Sequence, residues 1–89
     1  MSAPLVMYTT SWCPYCSRAR ELFERKGVAY TEIDVDAVDG ARAEMQRRSG
    51  RTSVPQIFVG ERHLGGFDDT YALDLRGELD PLLDSTGSQ

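Results

Sequence analysis

The stretch Leu5-Val6-Met7-Tyr8-Thr9-Thr10-Ser11-Trp12-Cys13-Pro14-Tyr15-Cys16 decides how the rest of the chain is read. Leu5 to Thr9 is a nearly continuous apolar, partly β-branched run, which predicts a short strand buried on both faces. From Cys16 to about Lys26 the apolar residues Cys16, Ala19, Leu22 and Phe23 recur at helical spacing, with Arg18, Arg20, Glu21, Glu24 and Arg25 mostly on the other side. Gly27 is a helix stop. Both cysteines of the chain therefore fall where a strand hands over to a helix.

Three uses of such a pair compete. A staple is weak, because a disulfide stabilises chiefly by restricting the unfolded chain, and a loop across two residues restricts little. A structural zinc site usually takes four ligands. This chain offers one cysteine pair and one histidine, His63, so a complete site would have to be shared between two chains. Redox work is the leading reading. The rest of the composition agrees: at 89 residues one domain is expected, and the net charge of −4 argues against nucleic acid, which wants a basic face. The longest wholly apolar run is Leu5-Val6-Met7, far short of a membrane span, and the N-terminus lacks the layout of a signal peptide. The expected address is the cytoplasm, where a permanent disulfide is out of place.

Outward from the cysteines, Val28 to Val35 reads as a second strand, with Ile33 and Val35 on one face. Asp36 is a candidate cap for a second helix using Val38, Ala41 and Met45, ended by Ser49-Gly50. Val54 to Val59 reads as a third strand with Pro55 near its start, and Gly60-Glu61 turns the chain into a short fourth strand, Arg62-His63-Leu64. After Gly65-Gly66, Asp68 or Asp69 caps a last helix that buries Ala72, Leu75 and Leu79. The order β-α-β-α-β-β-α begins with a right-handed parallel βαβ unit and ends in a hairpin, giving an α/β fold: a mixed four-stranded sheet flanked by three helices. The domain is expected over residues 1–84, with residues 85–89 a disordered tail.

On this layout the two cysteines differ in kind. Cys13 sits where free backbone N–H groups and the positive end of a helix dipole favour a thiolate. Pro14 suits the first helical position, where its missing N–H costs nothing. Cys16, nearly one turn on, faces the core. Cys13 is thus expected to attack, and Cys16 to resolve as the buried thiol.

The sequence resembles the glutaredoxins, and among them the small bacterial members with two active-site cysteines. The likeness runs from about Leu5 to Leu83. It rests on Cys13-Pro14-Tyr15-Cys16, on Ser53-Val54-Pro55 in place of a Thr-Val-Pro motif, and on Gly65-Gly66-Phe67-Asp68-Asp69. The resemblance implies a thioredoxin fold and glutathione-dependent reduction of protein disulfides and glutathione mixed disulfides, with catalytic Cys13 and Cys16. It implies a cis Pro55 facing the active site, with Val54 pairing glutathione through its backbone as a short extra strand. It further implies Gly66, Phe67 and Asp68 at the α-amino and α-carboxylate end, Tyr15 lining the site, and Arg51 at the glycine-end carboxylate. Gln46 is a weaker candidate, Trp12 shapes access, Asp69 reads as a cap, and His63 as a surface residue. No metal or bound cofactor is implied. The implied partners are glutathione and disulfide-bearing or glutathionylated proteins, with no nucleic acid or membrane and the chain acting as a monomer.

One departure stands out: Thr10 occupies a position where the family commonly carries lysine. The run Thr9 to Cys13 is also similar to the mycoredoxins, which use another low-molecular-weight thiol, whereas the Arg51–Phe58 and Gly65–Asp69 segments favour glutathione. Two other functions fit the same residues. One is a thioredoxin-like donor reduced by a flavoprotein; the other is a module holding a [2Fe–2S] cluster between two subunits through Cys13 and glutathione, against which the rigid Pro14 speaks.

Overall fold

A computed structural model describes residues 4–84. The elements are β1 (Leu5–Thr9), α1 (Pro14–Arg25), β2 (Thr31–Asp34), α2 (Ala41–Ser49), β3 (Gln56–Val59), β4 (Arg62–Gly65), α3 (Phe67–Leu75) and α4 (Leu79–Leu83). The sheet has the order β2-β1-β3-β4, with β2 parallel to β1 and the other pairings antiparallel. This is the mixed four-stranded sheet expected from the sequence. The expected tail at 85–89 lies outside the described residues.

Strand alternation divides the core into two layers. Leu5 and Met7 of β1 and Ile57 and Val59 of β3 point to one face, where Ala19, Leu22 and Phe23 of α1 and Leu79 and Leu83 of α4 cover them. Tyr8 and Phe58 point to the other face and meet Val35, Ala41 and Met45. The rim of that second layer is closed by Arg48. Its guanidinium lies 4.1 Å from the Phe58 ring centre and donates to the Tyr8 hydroxyl at 2.9 Å and to the Gly60 carbonyl at 3.2 Å. The Tyr8 hydroxyl in turn donates to Glu44 at 3.2 Å. On the edge of β2, Glu32 accepts from Arg20 at 2.8 Å and from the Thr9 hydroxyl at 2.8 Å, which fastens α1 to the sheet. Arg20 first, and then Thr9, hold the Glu32 carboxyl below its usual range.

Four boundaries differ from the sequence reading, each for a local reason. β2 is shorter than Val28–Val35, because Val28 belongs to the end of α1: Gly27 N–H bonds to Glu24 O at 3.1 Å and Val28 N–H to Phe23 O at 3.2 Å. This is a glycine-terminated helix end of the Schellman type, with Val28 packed back on the core. The second helix begins at Ala41, not after Asp36. Asp34, not Asp36, organises the turn, its carboxylate accepting from Asp36 N–H at 2.9 Å and Ala37 N–H at 3.2 Å. Val38 is consequently 51% exposed. β3 begins at Gln56, because Val54 and Pro55 stand outside the ladder.

The last difference is a fourth helix where one continuous third helix was expected. Gly77, at φ 73°, repeats the device of Gly27: its N–H bonds to Asp74 O at 3.0 Å and that of Glu78 to Leu73 O at 2.9 Å. The break turns Leu75 outward, 71% exposed, while Leu79 reaches the core on α4. Lys26 bridges the break, with its ammonium 2.7 Å from Asp74 and 2.8 Å from Asp80.

A Cβ on Gly77 would meet nothing within 4 Å, so substitution there tests backbone conformation alone. Gly77→Ala should cost about 1 kcal/mol, read as a lower urea midpoint with unchanged slope. A midpoint equal to or above that of the parent would show that the left-handed turn does not hold α3 and α4 apart.

Candidate functional site

The strand register gathers the site. In the antiparallel pair of β1 and β3, Tyr8 stands opposite Gln56, so the loop that leaves β1 lies beside the segment that enters β3. Ile57 stands opposite Gly65, which brings the end of β4 and the start of α3 to the same edge. Cys13, Val54 and Gly66 are far apart in sequence and share one end of the sheet for this reason.

Cys13 is the N-cap of α1, with Pro14 at the first helical position. Its Sγ accepts the Cys16 N–H at 3.3 Å and lies 3.8 Å from the Val54 carbonyl oxygen, which a protonated thiol would meet as a donor. Cys13 is half-buried and Cys16 fully buried; both are free thiols. Burial, reinforced by the hydrogen bond and the charge of neighbouring Cys13, pushes the Cys16 thiol up to about 12, against a smaller opposing pull from the Thr10 backbone and Arg20. The two sulfurs therefore have the unequal exposure expected of them.

Tyr15, Arg51, Val54, Pro55, Gly66, Phe67 and Asp68 all line a single cleft of about 250 Å³. The Val54–Pro55 peptide is cis. Tyr15 and Phe67 form one wall, with ring centres 6.4 Å apart and the Arg18 guanidinium 5.4 Å from the centre of the Tyr15 ring. The glycine pair has structural reasons independent of any ligand. Gly65 has φ 105°, and a Cβ there would come within 2.3 Å of the Asp69 carboxylate. A Cβ on Gly66 would meet the Pro55 carbonyl at 3.3 Å.

Three placements go beyond the sequence reading. Asp69 is the cap, accepting the Gly66 N–H at 3.0 Å, but the same oxygen also accepts from Arg51 Nη1 at 2.8 Å. Arg51 first, and then the Gly66 N–H, hold the Asp69 carboxyl below its usual range. Arg51 is thus tethered at the cleft by α3. Thr10 does not reach this cleft. It borders another, of about 210 Å³, with Trp12, Cys13, Pro14 and Asp36, and Trp12 there is 86% exposed. Gln46 is not part of either, and lines a separate depression beside Val35 and Asp36.

Gln56 and His63 form a support that no local sequence pattern signals. Gln56 is fully buried and its amide nitrogen donates to the Ser53 carbonyl at 2.9 Å. A carbonyl can only accept, so the Gln56 oxygen must face the other way, where His63 Nε2 lies at 2.7 Å. His63 must then carry its proton on Nε2. Burial, and then the charge of Arg51, push the imidazole below its usual value. Its ring also stacks on Phe58 with centres 4.8 Å apart. His63 is therefore not a plain surface residue, and the pair fixes the carbonyl just before Val54. Among the described residues no group of His, Cys, Asp and Glu is arranged to hold a metal ion, and no helix is long and apolar enough to cross a membrane.

A thiol held near 12 leaves about one Cys16 in a thousand ionised at pH 9, because a raised value keeps the group neutral until the solution approaches it. Iodoacetamide should therefore label Cys13 alone up to about that pH, as read by peptide mass mapping. Label on Cys16 at neutral pH in folded protein would contradict the assignment of roles.

Comparison with known proteins places this geometry. The family model described as "Glutaredoxin" matches residues 5–64. A glutaredoxin of Pseudomonas aeruginosa is 55% identical over 80 residues, which is 90% of this chain and 95% of that protein. Glutaredoxin 3 of Escherichia coli K12 is 54% identical over 81 residues, 91% of this chain and 98% of its own length. Among solved structures, a buckwheat glutaredoxin–glutathione complex superposes with a TM-score of 0.88 at 34% identity, covering 97% of this chain and 81% of that one. The solution structure of a glutaredoxin from Brucella melitensis gives a TM-score of 0.81 at 51% identity, covering 99% and 95%.

Proposed function

The chain belongs to the glutaredoxin family of glutathione-dependent thiol-disulfide oxidoreductases, and on that premise we propose that it reduces protein disulfides and glutathione mixed disulfides through Cys13 and Cys16, in the cytoplasm. The observation that carries this reading is the placement of Cys13. It is the helix N-cap, accepts a backbone N–H, and lies 3.8 Å from Val54 O at the cleft, with Cys16 buried behind it.

The chemistry proceeds by thiolate displacement. With a glutathione mixed disulfide, the Cys13 thiolate attacks the glutathione sulfur, a Cys13–glutathione bond forms, and the protein thiolate leaves and takes up a proton. A second glutathione, as thiolate, attacks the bound glutathione sulfur, releasing glutathione disulfide and restoring Cys13. With a protein disulfide, Cys13 forms the mixed disulfide, and Cys16 loses its proton and attacks the Cys13 sulfur. The substrate thiol leaves, and two glutathiones then reduce the Cys13–Cys16 bond. The resting Cys16 thiol is held neutral partly by Cys13 itself, through a hydrogen bond and its charge. Both effects end when the Cys13 sulfur enters a disulfide, so the mixed disulfide makes its own resolving thiol easier to ionise, with burial as the remaining brake.

In the cleft, the Val54 N–H and C=O are suited to pair with the cysteine of glutathione as an added strand. Asp68 and the first N–H groups of α3 suit the α-ammonium and α-carboxylate. Arg51 suits the glycine carboxylate, which would replace or share the Asp69 contact. With Thr10 outside this cleft, Arg51 takes that end of the ligand without a second cation.

Cys13→Ser should abolish activity on both substrate classes. Cys16→Ser should retain turnover of glutathione mixed disulfides and lose reduction of protein disulfides that need both thiols. Equal loss in both variants on both substrates would overturn the division of labour. Asp68→Asn should lower glutathione-dependent kcat/KM about tenfold, the worth of a charge-assisted hydrogen bond. Its stability should hardly change, because the helix cap is Asp69. Unaltered kinetics in that variant would remove Asp68 from the binding role.

A further inference from the structure

Another cleft, of about 320 Å³, opens between the edge strand β4 and α3, and its rim carries Arg51, Arg62, His63, Asp69 and Arg76. Three arginines gather here on a chain whose net charge is −4. The one carboxylate on the rim, Asp69, is already committed to Arg51 and to the Gly66 N–H. Among the described residues the Arg76 guanidinium makes one long, exposed ion pair, with Glu78 at 3.4 Å, which a better partner can replace. His63 adds no negative charge in either protonation state. The region is therefore a local excess of positive charge on an acidic protein.

Its position gives that charge a use. The cleft shares Arg51 and Asp69 with the cleft lined by Tyr15, Val54 and Phe67, so the two run into each other around this ion pair. The following step rests on the proposed seating of glutathione, with its cysteine at Val54 and its glycine carboxylate at Arg51. Glutathione ends at that carboxylate. A protein substrate whose cysteine takes the same place does not end there: its chain continues beyond the residue after the cysteine, past Arg51, at about 3.3 Å per residue. The space that receives it is the arginine-lined cleft.

We propose that this cleft is a specificity subsite, in which Arg62 and Arg76 take acidic side chains at the second and third positions after the reactive cysteine of a protein substrate. Small disulfides do not extend so far and do not use it. Preferred substrates are thus disulfides followed closely by Asp or Glu.

The test uses symmetric disulfides of short capped peptides, Ala-Cys-Gly-Glu-Glu, Ala-Cys-Gly-Gln-Gln and Ala-Cys-Gly-Lys-Lys, so that either sulfur attacked belongs to the peptide. Reduced full-length protein in excess is mixed with each, and the single-turnover rate is read. One peptide thiol leaves as the Cys13–peptide bond forms, and the second leaves as Cys16 closes the Cys13–Cys16 disulfide, so no glutathione is needed. The Glu-Glu peptide should react about fivefold faster than Gln-Gln, and Lys-Lys more slowly than both. The preference should shrink at high salt, since exposed charges are screened. In R62Q/R76Q it should vanish while the rate with glutathione disulfide stays unchanged, and R62E/R76E should favour Lys-Lys. Equal rates for the three peptides in the parent, or a preference that survives in R62Q/R76Q, overturns the proposal. Regeneration by glutathione is measured separately: its failure with an intact peptide preference would refute the glutathione reading and leave the acidic preference standing.

Discussion

The antiparallel register of β1 and β3 is the constraint on which the site depends. Tyr8 opposite Gln56 means that the exit of one strand and the entrance of the other lie side by side. A shift of that register by one residue would put Tyr8 and Phe58 on opposite faces of the sheet and carry Val54 away from its place beside Cys13. The two-layer core is thus the reason Cys13 and the segment before Pro55 meet within 3.8 Å. Neither stretch needs to hold the other by a strong bond, because the sheet does so.

Around that meeting point, polar side chains hold the cleft in shape. Asp69 caps α3 through the Gly66 N–H and fixes Arg51 with the same oxygen. Gly65 is required by this arrangement, since a Cβ there would strike the capping carboxylate. The buried Gln56 amide holds the Ser53 carbonyl on one side and takes the His63 N–H on the other. A buried amide is costly unless both its ends are satisfied, so this chain of bonds has a single orientation. It keeps the peptide ahead of Val54 from turning.

The electrostatic contrast between the two cysteines comes from depth. One helical turn separates a sulfur at a helix N-terminus, with a backbone donor at 3.3 Å, from a sulfur fully enclosed by the core. Burial is the first cause of the high Cys16 value, and the neighbouring thiol adds to it. The Cys16 sulfur is thereby held neutral at rest.

Much of this was legible in the sequence where the signal is local. The cysteine pair between an apolar run and a helical stripe, the glycine that stops α1, and the hairpin at Gly60-Glu61 are all set by neighbours a few residues apart. Backbone conformation and side-chain periodicity determine them. Gly77 carried the same stop signal as Gly27, but Leu75 and Leu79 at helical spacing masked it, and only the packing of Leu79 on α4 decided that the chain breaks there. Asp36 reads as a helix cap on paper, but the strand pairing of Thr9 with Asp34 ends β2 at Asp34, whose carboxylate turns the chain, and the helix begins only at Ala41. The tie between Arg51 and Asp69, and the support of Ser53 by Gln56 and His63, were beyond reach for a different reason. Contacts across a sheet edge depend on register and on which face each side chain takes, and no window of sequence contains both partners' surroundings. The residue types of the active site were thus determined by the sequence itself, while the tertiary structure alone decided which charges stand next to one another and which remain open to a partner.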